Sequence, residues 1–383
     1  MNYSIRLKQY AFQARHATNA LFFMTGISFA SWASRIPDVK SMLHLSDAAL
    51  GSVLFAMPVG SLTALPVAGI IIDKLGSKKV TFLSAFFYLV ALPLLGYSSE
   101  IWQLVIGLFL LGFGSDMLNI SMNVQAVNVE KIIHKSIMSS FHAVFSIGFM
   151  TGFALGGYFS SKHISPLIHL SICGLLMLVV LAGVNAFLIR HDHKSDKNAP
   201  LFAIPDKALM ILGIICFCGM LSEGAMADWS VLYYKQIMTS PNGFATAGAT
   251  AFSVMMVFGR FLGDIVVAKL GLQKTLLINC LLVVLGMSVA LGFSIEGLVV
   301  AGFGLTGLGL STIVPLIYSE AGHSKTMASG VALAAISTLG IAGFLIGPVM
   351  IGFISEISSL RTALASLILL GFIGALLTQK IKQ

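Results

Sequence analysis

Gly69-Ile70-Ile71-Ile72-Asp73-Lys74-Leu75-Gly76-Ser77-Lys78-Lys79 closes one long apolar run and opens the next. One acid, a Lys-Leu-Gly turn and two further lysines between apolar flanks read as a short hairpin joining two membrane-crossing helices. The basic residues stay on the cytoplasmic side while the flanks enter the bilayer. The second half repeats the device in Ala268-Lys269-Leu270-Gly271-Leu272-Gln273-Lys274, at an offset of 195 positions (271 minus 76). The offset of 195 also relates Gly148 to Gly343, Gly152 to Gly347 and Gly157 to Gly352, so the chain reads as a duplication.

Composition places that duplication in a membrane. Of 383 residues, 57% are hydrophobic and only 10% charged, whereas about a quarter of a soluble domain is charged. The predicted spans are 17–34, 48–72, 80–97, 101–127, 137–160, 166–189, 208–234, 244–268, 275–293, 297–319, 328–354 and 361–378. Each approaches the roughly 20 apolar residues that cross a bilayer. The predicted fold class is an all-α polytopic membrane protein with twelve transmembrane helices in two six-helix repeats. The domains are residues 1–190, a cytoplasmic linker 191–206, and residues 207–383.

The net charge of +8 raises the question of nucleic acid, but its distribution answers it. With the N-terminus inside, segments 1–16, 73–79, 128–137, 190–207, 269–274, 321–327 and 379–383 hold 17 of the 23 lysines and arginines. Outer segments hold five (Arg35, Lys40, Lys162, Lys235 and Arg361), and Arg260 lies within a span. The asymmetry predicts both termini in the cytoplasm by the positive-inside rule and argues against a nucleic-acid partner. The basic start resembles a secretory signal, but eleven further spans follow and the first fits the repeat, so no cleavage is expected. Cys173, Cys216, Cys218 and Cys280 all fall in apolar spans and read as small apolar residues. The linker's His191-Asp192-His193 lacks a third ligand at suitable spacing and reads as solvated chain. Neither cofactor nor metal is expected.

Glycines at 148, 152 and 156, and at 343 and 347, form small-xxx-small patterns that let helices approach closely. They suit either sliding contacts between the halves or tight static packing.

Ionisable residues inside a span are costly and face a bundle interior or an aqueous cavity, so each is a functional candidate. The first span ends in Ser31-Trp32-Ala33-Ser34-Arg35. Trp32 is expected at the outer interface and Arg35 at water, as an anchor or an outer-gate ion pair with Asp38, or as a substrate contact. The fourth span carries Gly112, Asp116, Asn119 and Asn123 on one face, a stripe that either binds a hydroxyl-rich solute or glues the helix to a neighbour. The fifth contributes Ser139, His142 and Ser146, with His142 either a relay or substrate contact or a satisfied packing residue. The seventh holds Glu223-Gly224-Ala225-Met226-Ala227-Asp228-Trp229. On an unbroken helix its two acids point ~140° apart, so a bend or unwinding at Gly219 or Gly224 is expected if both face one cavity. No base lies within a turn of Glu223, so it reads as a functional acid or as a structural one compensated from elsewhere. In the eighth span Arg260 and Asp264 are four apart and read as an inner gate or a structural ion pair.

These residues reach a family. The two six-helix halves, the hairpin at 69–79 and Gly259-Arg260 with Asp264 resemble the major facilitator superfamily over essentially the whole chain. More narrowly, residues 30–35, Asn123-Val124, residues 142–148 and residues 223–229 look like bacterial YbjJ-type inner-membrane proteins, a group that resembles rhizopine transporters and, more distantly, fucose permease. The resemblance implies alternating access about a central site and proton coupling through membrane carboxylates. The resemblance carries over Glu223 and Asp228, which match a motif, and Asp116 by its helix alone; joined to the reading of the residues above, Asp116, Asn119, Asn123, His142, Asp228 and Trp229 are expected to bind substrate, Glu223 to couple protons, and Asp73, Arg260, Asp264 and Arg35 to gate. The hairpin departs from the superfamily pattern in having Ser77 where arginine is common, and the fourth span has no arginine for Asp73.

The expected function is secondary transport: a proton-coupled importer of a small polar solute, sugar or cyclitol-like, working as a monomer in the bacterial inner membrane among lipids. The alternatives are a proton-driven exporter of amphipathic compounds, disfavoured because the fifth span lacks a Gly-Pro signature, and more remotely a sensor or an intramembrane enzyme built on His142 and its serines. No ATP-binding Gly-x-x-x-x-Gly-Lys-Ser/Thr loop is present, so the energy source is a gradient.

Overall fold

The computed structural model describes residues 2–133, 137–190, 207–237, 244–322 and 329–381, which are helical with short turns and contain no strand. The linker histidines, and the side chains of Asp73, Ser139 and Asp264, lie outside the described part. Among the described residues, ten stretches are long and apolar enough to cross a membrane, and a shorter apolar helix covers Ala247–Gly263. The chain clusters into two compact units: Met1–His44 with Val53–Ser195, and Leu45–Ser52 with Asp196–Gln383.

The first unit contains α1 (Asn2–Ala33), α2 (Ile36–Met42), α4 (Ala56–Leu75), α5 (Ser77–Tyr97), α6 (Ile101–Ile133), α7 (Met138–Ser161) and α8 (Pro166–Asn185). The short α3 (Asp47–Leu54) leads into α4 through Phe55. The expected second span is therefore two helices. Pro58 accounts for the break: it has no N–H to offer the Leu54 carbonyl, and its ring crowds that turn.

Helices in lipid associate by close packing and not by hydrophobic exclusion, and glycines set the approach here. A Cβ on Gly148 would collide with the Phe23 carbonyl, and one on Gly152 would lie 2.5 Å from the Ile27 carbonyl oxygen, so α7 rides directly on α1. Gly343 of the second unit meets the Phe217 carbonyl in the same manner. Both glycine rows thus pack against a helix of their own unit. The repeat is visible in the contacts themselves. Gly112 abuts the Met57 carbonyl and Gly307 abuts the Phe252 carbonyl, and 195 separates both the glycines and their partners.

The hairpin between α4 and α5 turns at Gly76 with φ 81° and ψ 149°. Its repeat, Gly271, has φ 77° and ψ 166°. This region is essentially closed to residues with a Cβ, which is why the Lys-Leu-Gly turn recurs. Ser77 is fully buried, and the reason lies on α6. Gln125 Nε2 donates to Ser77 Oγ at 2.6 Å and to the Ile189 carbonyl at 2.9 Å, while its Oε1 accepts from Ile189 N–H at 2.8 Å. One carboxamide ties the hairpin to the chain leaving α8, and Lys78 Nζ adds bonds to the Ala186 and Leu188 carbonyls at 3.4 Å. Gln125→Ala leaves buried groups unpaired and should cost about 2 kcal/mol. Thermal unfolding of the purified variant checks this; an unchanged midpoint would remove Gln125 from the framework.

The second unit contains α9 (Lys207–Ile237), α10 (Ala247–Leu270), α11 (Leu272–Gly292), α12 (Glu296–Leu310), α13 (Ile313–Gly322), α14 (Ser329–Ile357) and α15 (Leu360–Thr378). Residues 45–52 cluster with it. Asp47 accepts a bond from Ser355 Oγ, Ala48 N–H donates to Glu356 Oε2 at 3.2 Å, and Gly51 lies against the Pro348 carbonyl and Gly352. Large apolar side chains such as Phe87, Leu175, Val179, Phe261 and Leu369 are exposed, as a lipid-facing surface requires and a water-facing one does not.

Candidate solute and proton site

The expected tenth span is interrupted at Ser311-Thr312, between α12 and α13. Pro315, in the first turn of α13, lacks the N–H that would otherwise bond the Ser311 carbonyl. Arg260 of α10 takes that place: its Nε donates to the Ser311 carbonyl at 3.4 Å. Glycines admit the approach, since a Cβ on Gly259 would strike the Ser311 hydroxyl and one on Gly263 the Thr312 methyl. Asn279 of α11 steadies the other side of the break through a 2.6 Å bond to Thr312 Oγ1.

The same guanidinium reaches α9, where Arg260 Nη2 lies 3.5 Å from Glu223 Oε1. The side chains are 19% and 24% exposed, so the pair is neither sealed in the core nor solvated as a surface bridge. Tyr318 of α13 stands near Ser337 of α14 and in the neighbourhood of Glu223. This corrects the sequence reading of Glu223 as an acid without compensation: its base comes from another helix 37 positions away (260 minus 223).

α9 is continuous through Gly219 and Gly224, so the helix does not unwind there. Gly219 makes room for Ile313, and Gly224 for the Phe344 ring. Glu223 and Asp228 therefore point in different directions. Asp228 is half-buried and has no hydrogen-bond or ion-pair partner among the described residues. Trp229 is fully buried, and its Nε1 is unpartnered among the described residues.

In the first unit Ser61 and Asn119 approach the Asp116 carboxylate. Asn123 Nδ2 donates to Asn119 Oδ1 at 2.9 Å and to the Asn119 carbonyl at 2.8 Å. Asn119 is exposed, and Asp116 and Asn123 are half-buried, so the polar stripe is present on one face of α6. His142 on α7 is exposed and meets Phe22 edge-on at 5.2 Å. Adding 195 to Asp116 and Asn123 gives Ser311 and Tyr318, so the two units place polar groups at corresponding positions.

Arg35 and Trp32 differ from expectation. Both are buried to about 1% exposure. Arg35 donates through Nη2 to the Ile164 carbonyl and pairs through Nη1 with Asp38 Oδ2 at 3.3 Å. The ion pair is as read, but the guanidinium is roofed by the α7–α8 turn instead of snorkelling to water. His169, which the sequence reading passed over, lies buried beside it, stacked on Phe159 at 4.6 Å.

Apolar helices of membrane-crossing length with an acid and a base of different helices in one partly accessible spot suit a membrane carrier, and the comparisons make the chain a transporter of the secondary type and not an enzyme. The profile of the Major Facilitator Superfamily matches residues 19–342, and the chain belongs to that superfamily. An uncharacterized MFS-type transporter of Yersinia pestis is 33% identical, with 92% of each chain covered. Membrane protein MosC of Rhizobium meliloti is 30% identical over 92% of this chain and 86% of its own. Among solved structures, the nucleoside transporter NupG superposes with a TM-score of 0.79 at 13% identity, covering 96% of this chain and 98% of that one. At that identity the likeness shows the fold alone.

Proposed function

We propose that the protein is a proton-coupled importer of a small polar solute of sugar or cyclitol type, working by alternating access in the bacterial inner membrane with both termini in the cytoplasm. The Glu223–Arg260 pair carries this reading. A carboxylate that trades a proton for its arginine partner is a two-state element whose charge depends on which side supplies protons. Asp116, Asn119 and Asn123 offer the acceptors and donors that hydroxyl-rich solutes need, with His142 and Asp228 as further polar contacts. Asp73, Arg35 and Asp264 are assigned to gating. Trp229 is given a supporting role and not a direct contact, because its ring has no accessible surface. Two named relatives agree in class: a sialic acid transporter of Escherichia coli at 23% identity and a glucose/mannose transporter of Bacillus subtilis at 22%.

Reconstituted vesicles test the reading. An imposed pH gradient, acid outside, should drive accumulation of a solute of this type, and collapse of the gradient should release it. Accumulation indifferent to the gradient would refute proton coupling, and expulsion of amphipathic dyes instead would favour the exporter.

A further inference from the structure

The end of the first unit where the α4–α5 hairpin meets the chain leaving α8 holds two cations together. Gln125 is the cause. Its Nε2 donates both to Ser77 Oγ and to the Ile189 carbonyl, so the residues that follow these two in the chain, Lys78 and Arg190, stand in each other's neighbourhood. Among the described residues Lys78 Nζ bonds to the Ala186 and Leu188 carbonyls, each at 3.4 Å, longer than a charge-assisted hydrogen bond of about 2.8 Å. Arg190 is exposed, and no hydrogen bond or ion pair holds its guanidinium among the described residues. Lys74 and Lys79 add exposed charge on the same hairpin.

Acids of the adjoining chain do not cancel this charge. Glu130, near the end of α6, has its Oε1 bonded to the Ile137 and Met138 N–H groups at 2.6 and 2.8 Å. The Asp73 side chain and the acids of 191–206 lie outside the described part. Even with all of them granted to the site, the hairpin 73–79 holds three lysines against one acid and the stretch 190–207 four bases against three acids, a balance of +3 (7 minus 4).

Apolar surface continues from the pair. Leu83, Phe86 and Val90 are exposed four, seven and eleven positions after Lys79, on one face of α5. α8 packs beside α5, where a Cβ on Gly174 would lie 2.9 Å from the Leu89 carbonyl oxygen, and it exposes Leu176 and Val179. Toward the end of α8 a Cβ on Gly183 would meet nothing within 4 Å. Basic residues that close a lipid-facing surface stand at headgroup depth.

We propose that Lys78 and Arg190 form a binding site for an anionic phospholipid. Its phosphate bridges ammonium and guanidinium and relieves their repulsion, while its acyl chains lie along the exposed faces of α5 and α8. Arg190 offers two phosphate oxygens a planar pair of donors, and Lys78 supplies a point of charge. A free phosphate would satisfy the cations but leave the apolar faces unused, so the occupant is the lipid.

The test titrates purified full-length protein in a non-ionic detergent with dioleoylphosphatidylglycerol or dioleoylphosphatidylcholine and reads retained lipid by native mass spectrometry. The glycerol lipid should bind roughly thirtyfold tighter, and Lys78→Gln with Arg190→Gln should bring it down to the choline lipid's level. Arg190→Gln alone should cost roughly fivefold, and Arg190→Lys should keep most of the affinity. Because Arg190 has no bond to the rest of the described chain, these two variants carry the test if the double variant fails to accumulate. Lys380→Gln in the second unit, an equal loss of charge, should change nothing. Equal binding of the two lipids, or undiminished binding by Arg190→Gln, overturns the site. A loss in Lys380→Gln as large as that in Arg190→Gln overturns it too, since diffuse surface charge would then account for the binding. Displacement of the lipid by inorganic phosphate at equal concentration would make the site one for the free ion and overturn the lipid.

Discussion

Glu223→Gln should abolish uphill accumulation while leaving exchange of labelled for unlabelled solute. Glutamine resembles the protonated acid in shape and charge but cannot release a proton. The transporter then cycles only with solute bound, which equilibrates label across the membrane without net proton movement. Coupling is lost completely, because a ligand shifts a two-state equilibrium only through its differential affinity for the two states, and no proton affinity remains at this position. Parallel measurements in vesicles, one with an imposed pH gradient and one with equal solute on both sides, read the two quantities. Wild-type accumulation by Glu223→Gln would return the residue to a structural role.

Arg260→Ala should be the most destabilising single change in the second unit's polar cluster. It removes the partner of Glu223 and the donor to the Ser311 carbonyl together. Stranding one member of a fully buried pair costs about 3–5 kcal/mol; partial exposure of both side chains lowers the expectation to ~2 kcal/mol. The double variant Glu223→Gln with Arg260→Gln should recover most of the loss, since two neutral amides can bond to each other and to that carbonyl. Thermal unfolding of the wild type, both singles and the double closes the cycle. Purely additive losses would show that the 3.5 Å contact carries no coupling.

Much of the architecture was legible without coordinates. Apolar runs of membrane-spanning length have few options, because backbone groups in lipid must bond within their own helix. The hairpin glycines could be picked out because Gly76 and Gly271 occupy a backbone region that other residues avoid, so their 195-residue spacing marked the repeat before any contact was known. The polar stripe of α6 was legible for a similar reason: Asp116, Asn119 and Asn123 share a face by helical period alone. The interruption of the tenth span had a signal that went unused, Pro315 four positions after Ser311. Likewise Pro58 announced the split between α3 and α4.

Partnerships between spans were a different matter. Sequence spacing compares a residue only with neighbours on its own helix, so Glu223 looked uncompensated and Arg260 was matched with Asp264 alone. In the folded unit α9 and α10 lie side by side, and Arg260 bridges Glu223 to the carbonyl that Pro315 leaves open. Gln125 was invisible for the same reason, because Ser77 and Ile189 meet it only after α5, α6 and the end of α8 have packed. Arg35 and Trp32 were assigned to an interface by their position at a span's end, whereas both are buried and the α7–α8 turn takes the Arg35 guanidinium. What the amino-acid sequence determined by itself is everything governed by local backbone and lipid: apolar helices of membrane length, their duplication, and which residues share a helical face. Which charge meets which was decided by tertiary packing, since an ion pair between helices depends on distances that no periodicity encodes.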